Sequence, residues 1–240
     1  MDTKVRLYVE HDLAPGQAVT LNMDQAHYLF GVMRLAVADT CLLFNGRDGE
    51  WRAAVQVAGK RGGVMVCALQ TAALRLPPDL WLIFAPIKKA RTDFIVEKAT
   101  EMGAARIMPV QTQHTNADRI RQDRLQAHAI EAAEQCGGTC VPEVAELQPL
   151  DRCLASLPAN RTLLWCDEAM VGQGVSLTDV PRGPCAILIG PEGGFSAAEQ
   201  ARIRAMPQTC PIGLGPRILR ADTAAVAALT LWQATLGDWV

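Results

Sequence analysis

The segment Leu188-Ile-Gly-Pro-Glu-Gly-Gly-Phe-Ser-Ala-Ala-Glu199 constrains the fold of this chain more than any other. The apolar run Cys185 to Ile189 that leads into it reads as a short strand buried on both faces. A glycine-rich loop follows, and then Ser196 and Glu199 at the spacing of a capping box, which marks a helix start. Strand, glycine loop and helix in that order form the βα unit of a parallel sheet. In such sheets ligands bind at the carboxyl ends of the strands. Gly190, Gly193 and Gly194 let the backbone approach a ligand closely, and Pro191 stiffens the turn. Neither GxxxxGK[ST] nor GxGxxG occurs in the chain, which weighs against a nucleoside triphosphate or a dinucleotide.

A second loop repeats the theme. Ile212-Gly-Leu-Gly-Pro-Arg-Ile-Leu-Arg220-Ala-Asp-Thr223 leads from an apolar strand into an alanine-rich helix expected over 224–236, with Asp222 or Thr223 as its cap. Arg220, flanked by Leu219 and Ala221 at the helix entrance, is placed to hold an anion or a base edge. Two basic runs complete the inventory: Lys88-Lys89-Ala90-Arg91, just after an apolar strand, and Arg119-Ile-Arg121-Gln-Asp-Arg124.

The alternation of elements extends this pattern backwards. Strands are expected over 80–85, 106–110 and 162–166, and helices over 92–102 and 121–136, closed by Gly103 and by Gly137-Gly138. Before Leu76-Pro77-Pro78 the rhythm differs. Short strands over 41–44, 51–57 and 64–69, with turns at Asn45-Gly46 and Gly62-Gly63, suggest a small β-barrel. The expected organisation is an α/β chain with a β-barrel domain over 1–74 and a parallel-sheet domain over 75–240.

The formal net charge is −2, so any nucleic-acid site must be a local patch rather than a general basic character. Eight scattered cysteines without a CxxC pair read as reduced, buried thiols, and four histidines without ligand spacing give no metal site. The N-terminus lacks the apolar core of a signal peptide, and the longest apolar stretch, 223–236, is too short to span a bilayer. A cytoplasmic protein is expected.

The segments 188–196 and 214–220, the latter followed by Ala-Asp-Thr, closely resemble the ribosomal RNA small subunit methyltransferase E family of the SPOUT superfamily. Lys98-Ala-Thr-Glu-Met-Gly103, Glu131-Ala-Ala-Glu-Gln-Cys-Gly137, His27 to Arg34 and Phe44-Asn-Gly46 look like further family segments, so the resemblance covers nearly the whole chain. It implies a trefoil-knotted C-terminal α/β domain, an N-terminal PUA-like barrel that binds RNA, a homodimer, and methylation of uracil N3 in 16S rRNA with S-adenosylmethionine. The cofactor residues it implies are Leu164, Trp165, Cys166, Ile189, Gly190, Glu192, Gly194, Ile212, Leu214, Gly215, Leu219 and Thr223. Arg220, Glu192 and Asp222 are the candidates for the chemistry, and Arg6, Arg34, Lys88, Lys89 and Arg91 those for RNA. The chain departs from the family pattern at Asp222, where glutamate is common, at Gly138-Thr139, where arginine is common, and at Ala90, where an acidic residue is common. The alternatives are a SPOUT methyltransferase acting on another RNA position, a non-catalytic RNA-binding assembly factor, and a phosphate-binding α/β enzyme using the Gly190 loop.

Overall fold

The computed structural model describes residues 5–116, 120–172, 177 and 180–239. The chain forms two compact units. The first runs to Leu76 and takes in Ala133–Val141, and the second comprises Pro77–Ala132 and Pro142–Val240.

In the first unit, β1 (Arg6–Tyr8), β2 (Ala18–Leu21), β3 (Thr40–Phe44), β4 (Glu50–Gly59) and β5 (Gly62–Ala72) form one sheet in the order β1-β3-β4-β5-β2. Only β1 and β3 pair in parallel. The first halves of β4 and β5 alternate inward and outward residues, as expected of strands covering one core. That core takes Leu7, Val19, Leu43, Trp51 and Met65 from the five strands in turn. Asn22 opens a short helix, α1 (Met23–Ala26), through a capping box with Gln25, and the chain continues as a π-helix over His27–Val32 that buries Leu29. The expected tight turn at Asn45-Gly46 is a longer loop. Asn45 Oδ1 accepts from the amides of Arg47 and Asp48, and both Gly46 and Gly49 have positive φ.

The second unit is a parallel sheet in the order β12-β10-β11-β6-β7-β8. Its elements are β6 (Leu80–Phe84), α2 (Lys89–Glu101), β7 (Arg106–Gln111), α3 (Gln122–Cys136), β8 (Glu143–Val144), β9 (Gln148–Pro149), α4 (Leu150–Ala155), β10 (Thr162–Cys166), β11 (Cys185–Ile189), α5 (Ala197–Ala205), β12 (Thr209–Ile212) and α6 (Ala221–Thr235). The last turn of α3 belongs to the first unit, and β9 pairs with β7. All five residues of β11 are buried, which matches a central strand with both faces covered. Gly103, at φ +73°, ends α2 in the left-handed conformation that glycine adopts without cost. Helix α6 starts earlier than its sequence suggests. Its N-cap is Arg220, extended at ψ 154° and making no side-chain cap bond, so neither Asp222 nor Thr223 is the cap. No helix among the described residues is long and apolar enough to cross a membrane.

Candidate active site

Strands β12, β10 and β11 lie side by side, with Cys166 level with Ile212 and Trp165 level with Leu188. Their carboxyl ends open onto one cavity of about 300 Å³. The loops after β10, β11 and β12 build it, as the topology of open α/β sheets leads one to expect.

Trp165, Ile189, Phe195, Ile212 and Ala224 give the cavity apolar walls. Phe195 is buried and meets Trp165 edge-on, with ring centroids 6.2 Å apart. Behind that wall the Arg204 guanidinium lies 4.8 Å from the centre of the Trp165 ring and donates to Asp167 Oδ2 at 3.0 Å. Asp167 also accepts the amide of Ala169 and caps the short 3-10 helix Glu168–Met170, so both its oxygens are engaged. Charge therefore enters the cavity from the side chains at its rim: Glu168, Glu192, Arg217 and Arg220.

The Gly190 loop is clamped from two sides. Ser196 and Glu199 form the expected capping box, and Glu199 Oε1 also accepts the amide of Gln113 at 2.8 Å. The neighbouring His114 Nδ1 lies 3.0 Å from the carbonyl oxygens of both Gly193 and Gly194, so the Nδ1–H tautomer donates into the loop. Gly194 has φ +67°, whereas Gly190 is required for space rather than for conformation.

Trp165, Cys166, Ile189, Gly190, Glu192, Gly194, Ile212, Leu214, Leu219 and Arg220 all line the cavity. Leu164 is fully buried in the sheet beneath it. Gly215, at φ +105°, accepts the amide of Gly172 and shapes the loop. Thr223 is exposed in the first turn of α6. Asp222 faces Arg91, whose Nη1 donates to Glu192. Burial drives the Cys166 thiol far above its ordinary value, with neighbouring Cys185 adding to the effect, so the sulfur stays protonated and neutral.

Sequence reasoning missed Asp167, Glu168 and Val171, which follow β10. Only the strand order, which sets β10 between β12 and β11, could have found them. It also did not single out Arg217, which lines the cavity.

Among the RNA candidates, Lys88 and Lys89 are exposed on an open groove shared with Arg121 and Arg124, and Arg34 is exposed at φ 59°. Arg119 lies outside the described residues. Arg6 departs from expectation. It is almost wholly buried, donates to Glu50 at 2.7 Å and to the carbonyls of Ala133, Glu134 and Gly138, and stacks on Phe44. Four of its five N–H donors are engaged inside the first unit.

Residues 74–233 match the RNA methyltransferase domain family, and residues 21–63 match the RNA methyltransferase PUA domain. The ribosomal RNA small subunit methyltransferase E of Rickettsia conorii is 30% identical over 228 residues, covering 93% of each chain. That of Synechocystis is also 30% identical, over 96% of this chain and 78% of its own. A Legionella pneumophila methyltransferase solved in complex with S-adenosylmethionine superposes with a TM-score of 0.88 at 29% identity, covering 99% of this chain and 100% of its own. The Neisseria gonorrhoeae ribosomal RNA small subunit methyltransferase E, bound to S-adenosyl methionine, gives 0.87 at 26% identity, with 98% and 99% covered. A PUA-like β unit together with a parallel-sheet unit whose cavity opens at three strand ends defines an RNA methyltransferase. Within that class, the chain belongs to the ribosomal RNA small subunit methyltransferase E family.

Proposed function

We propose that this chain methylates N3 of a uridine in the 16S rRNA of the small ribosomal subunit, using S-adenosylmethionine. The cavity at the ends of β12, β10 and β11 carries the reading, because relatives of the same fold were solved with that cofactor bound. Its volume of about 300 Å³ falls in the range of small-molecule sites. Its apolar walls suit a purine ring. Its rim, with carboxylates at Glu168 and Glu192 and guanidiniums at Arg217 and Arg220, suits an amino acid bearing both an ammonium and a carboxylate. Trp165, Cys166, Ile189, Gly190, Gly194, Ile212, Leu214 and Leu219 would hold the cofactor, with Leu164, Gly215 and Thr223 shaping the surrounding backbone.

When bound, S-adenosylmethionine supplies a methyl group on a positively charged sulfur that leaves as a neutral thioether. Uracil N3 carries a proton, and its competent form is the anion, with charge spread onto O2 and O4. Arg220, exposed at the cavity rim, stabilises that charge. The N3 proton passes to a carboxylate, for which Glu192 is the candidate lining the cavity, and N3 then bonds to the methyl carbon. Asp222 acts by orientation. N3 lies on the Watson–Crick edge, so the base must be unpaired or turned out of its stack.

Each unit presents cations for the RNA backbone: Arg34 in the first, Lys88 and Lys89 in the second, with Arg121 and Arg124 along the same groove as the lysines. RNA affinity then falls as salt rises. The reading includes a homodimer, whose interface would cover exposed apolar side chains such as Phe94, Leu231 and Trp239. Sedimentation measures that state directly.

The deciding experiment incubates the protein and labelled S-adenosylmethionine with small subunits lacking the modification, then identifies the labelled nucleoside after digestion. Label in 3-methyluridine is the expected result. Label in another nucleoside removes the assigned position, and absence of label despite normal cofactor binding removes the catalytic reading.

A further inference from the structure

We propose that Arg91 is a positioning residue for the methyl transfer, tying the Gly190 loop to the start of α6, and not a contact to the RNA backbone. The inference rests on the functional reading above. Arg91 sits in the first turn of α2, remote in sequence from both of its partners. Its Nη1 donates to Glu192 Oε1 at 3.3 Å, and its Nε faces Asp222 Oδ2 at 3.7 Å. One planar guanidinium thus addresses a carboxylate on the loop after β11 and another in the first turn of α6. The Asp222 carboxylate is 19% exposed and that of Glu192 is 47% exposed, so the pairs run from a sheltered edge out to the cavity rim.

The need for such a tie follows from how α6 begins. Its N-cap, Arg220, makes no side-chain bond to the amides of the first turn, and an uncapped turn frays. Asp222 accepts the amide of the adjacent Thr223, which is a local contact and secures nothing outside the helix. The Arg91 pair joins the turn to a second element, two residues from the guanidinium proposed to meet the uracil anion. At the other end the same side chain restrains Glu192, whose carboxylate makes no other ion pair among the described residues. Lysine presents one nitrogen and cannot address two carboxylates in different directions, whereas the fork of arginine can. Lys88 and Lys89 contrast with it: both are exposed and make no ion pair among the described residues, so their charge is available to phosphates.

The test compares wild type, Arg91→Gln and Arg91→Lys on unmodified small subunits, with thermal melts to establish that each variant is folded. Arg91→Gln is expected to lower kcat by about 10- to 100-fold, the scale of misplacing a reacting group by an ångström. Its KM for RNA and its salt dependence stay as in wild type. Arg91→Lys recovers only part of kcat, because a single ammonium holds one of the two carboxylates at a time, and adding Asp222→Asn to Arg91→Gln costs little more, because the two act through one contact. Independently of turnover, hydrogen exchange at the amides of 192–194 and 221–224 speeds up in Arg91→Gln. A normal kcat with a raised KM for RNA, and a salt slope shallower by about one, would make Arg91 a phosphate contact and overturn the proposal. Unchanged kinetics with unchanged exchange would overturn it as well. If wild type itself transfers no methyl group, the functional reading falls, and the exchange measurement still decides whether Arg91 ties the two segments.

Discussion

The Phe195 ring lies so close over Gly190 that a Cβ on the glycine would come within 2.9 Å of Phe195 Cε2. Gly190 is therefore a matter of space: it lets an aromatic ring close the cavity floor against Trp165. Gly190→Ala must push Phe195 off that contact. The expected cost is about 1–3 kcal/mol of stability from overpacking, with cofactor affinity reduced at least tenfold. Calorimetric titration with S-adenosylmethionine and a melt of the same sample measure both. Unchanged affinity would mean that the ring yields without reshaping the cavity.

The two acidic candidates separate by position. Glu192 lines the cavity, whereas Asp222 is turned to Arg91. Glu192→Gln keeps the shape and removes the proton acceptor, so turnover at saturating cofactor should fall about 10²- to 10⁴-fold, beyond any weakening of cofactor binding. Asp222→Asn should cost less, since Arg91 keeps its bond to Glu192. Single-turnover rates at saturating cofactor compare the two, and the reverse order of effects would exchange their roles.

Much of the second unit could be read from residue order, because its strands announce themselves locally. Leu80–Phe84 and Cys185–Ile189 are short, apolar and almost wholly buried, and the Ser196 and Glu199 cap satisfies helix amides whatever lies around it. What could not be read depends on partners far along the chain. β1 is three residues long and exists by parallel pairing with β3, an arrangement to which Arg6 binds the end of α3. The association of Ala133–Val141 with the first unit leaves no local mark for the same reason.

The site divides along the same line. Glycines flag the loops after β11 and β12, but nothing in Asp167-Glu168 flags the loop after β10 until the strand order is known. Arg91 looked like the third member of a basic run. Only the fold brings Glu192 and Asp222 to it, so the charge of the run could be read and its direction could not.

Buried thiols set the response to alkali. Burial, helped by Glu134 and Cys67, pushes the Cys41 thiol up to about 12. Burial likewise raises Cys185 to about 12, against the opposing influence of the nearby Trp232 indole and the charge of Arg161. Cys153 rises to about 11 by burial. In each case the folded state holds its proton after the unfolded chain has released it. Their contribution is thus fully present below about pH 9, falls above it, and is lost by the folded values near 11 and 12. The loss approaches about 1.4 kcal/mol per pH unit for each thiol in that window. Urea midpoints should hold level from pH 7 to 8.5 and then drop, with a shallower drop in Cys41→Ala. Thiol labelling at pH 8 should start with the exposed Cys136. A midpoint flat to pH 10.5 would contradict this account.

Arg6 is a charge that builds the fold. Its side chain is 9% exposed and Glu50's is 12%, and the guanidinium also serves three carbonyls and the Phe44 face. Arg6→Ala leaves the Glu50 carboxylate buried without its charge partner, although Thr71 still donates to it. Such a loss typically costs about 3–5 kcal/mol. Arg6→Lys should recover only part of it, because one ammonium cannot span Glu50 and the end of α3 together. Cofactor titration at a temperature where both variants remain folded should give the wild-type value, since the cavity is built within the second unit. RNA affinity of the folded protein should likewise be unchanged, while Lys88→Ala weakens it and reduces its salt slope by about one. An Arg6→Lys protein that melts normally yet binds RNA poorly would return Arg6 to the RNA surface.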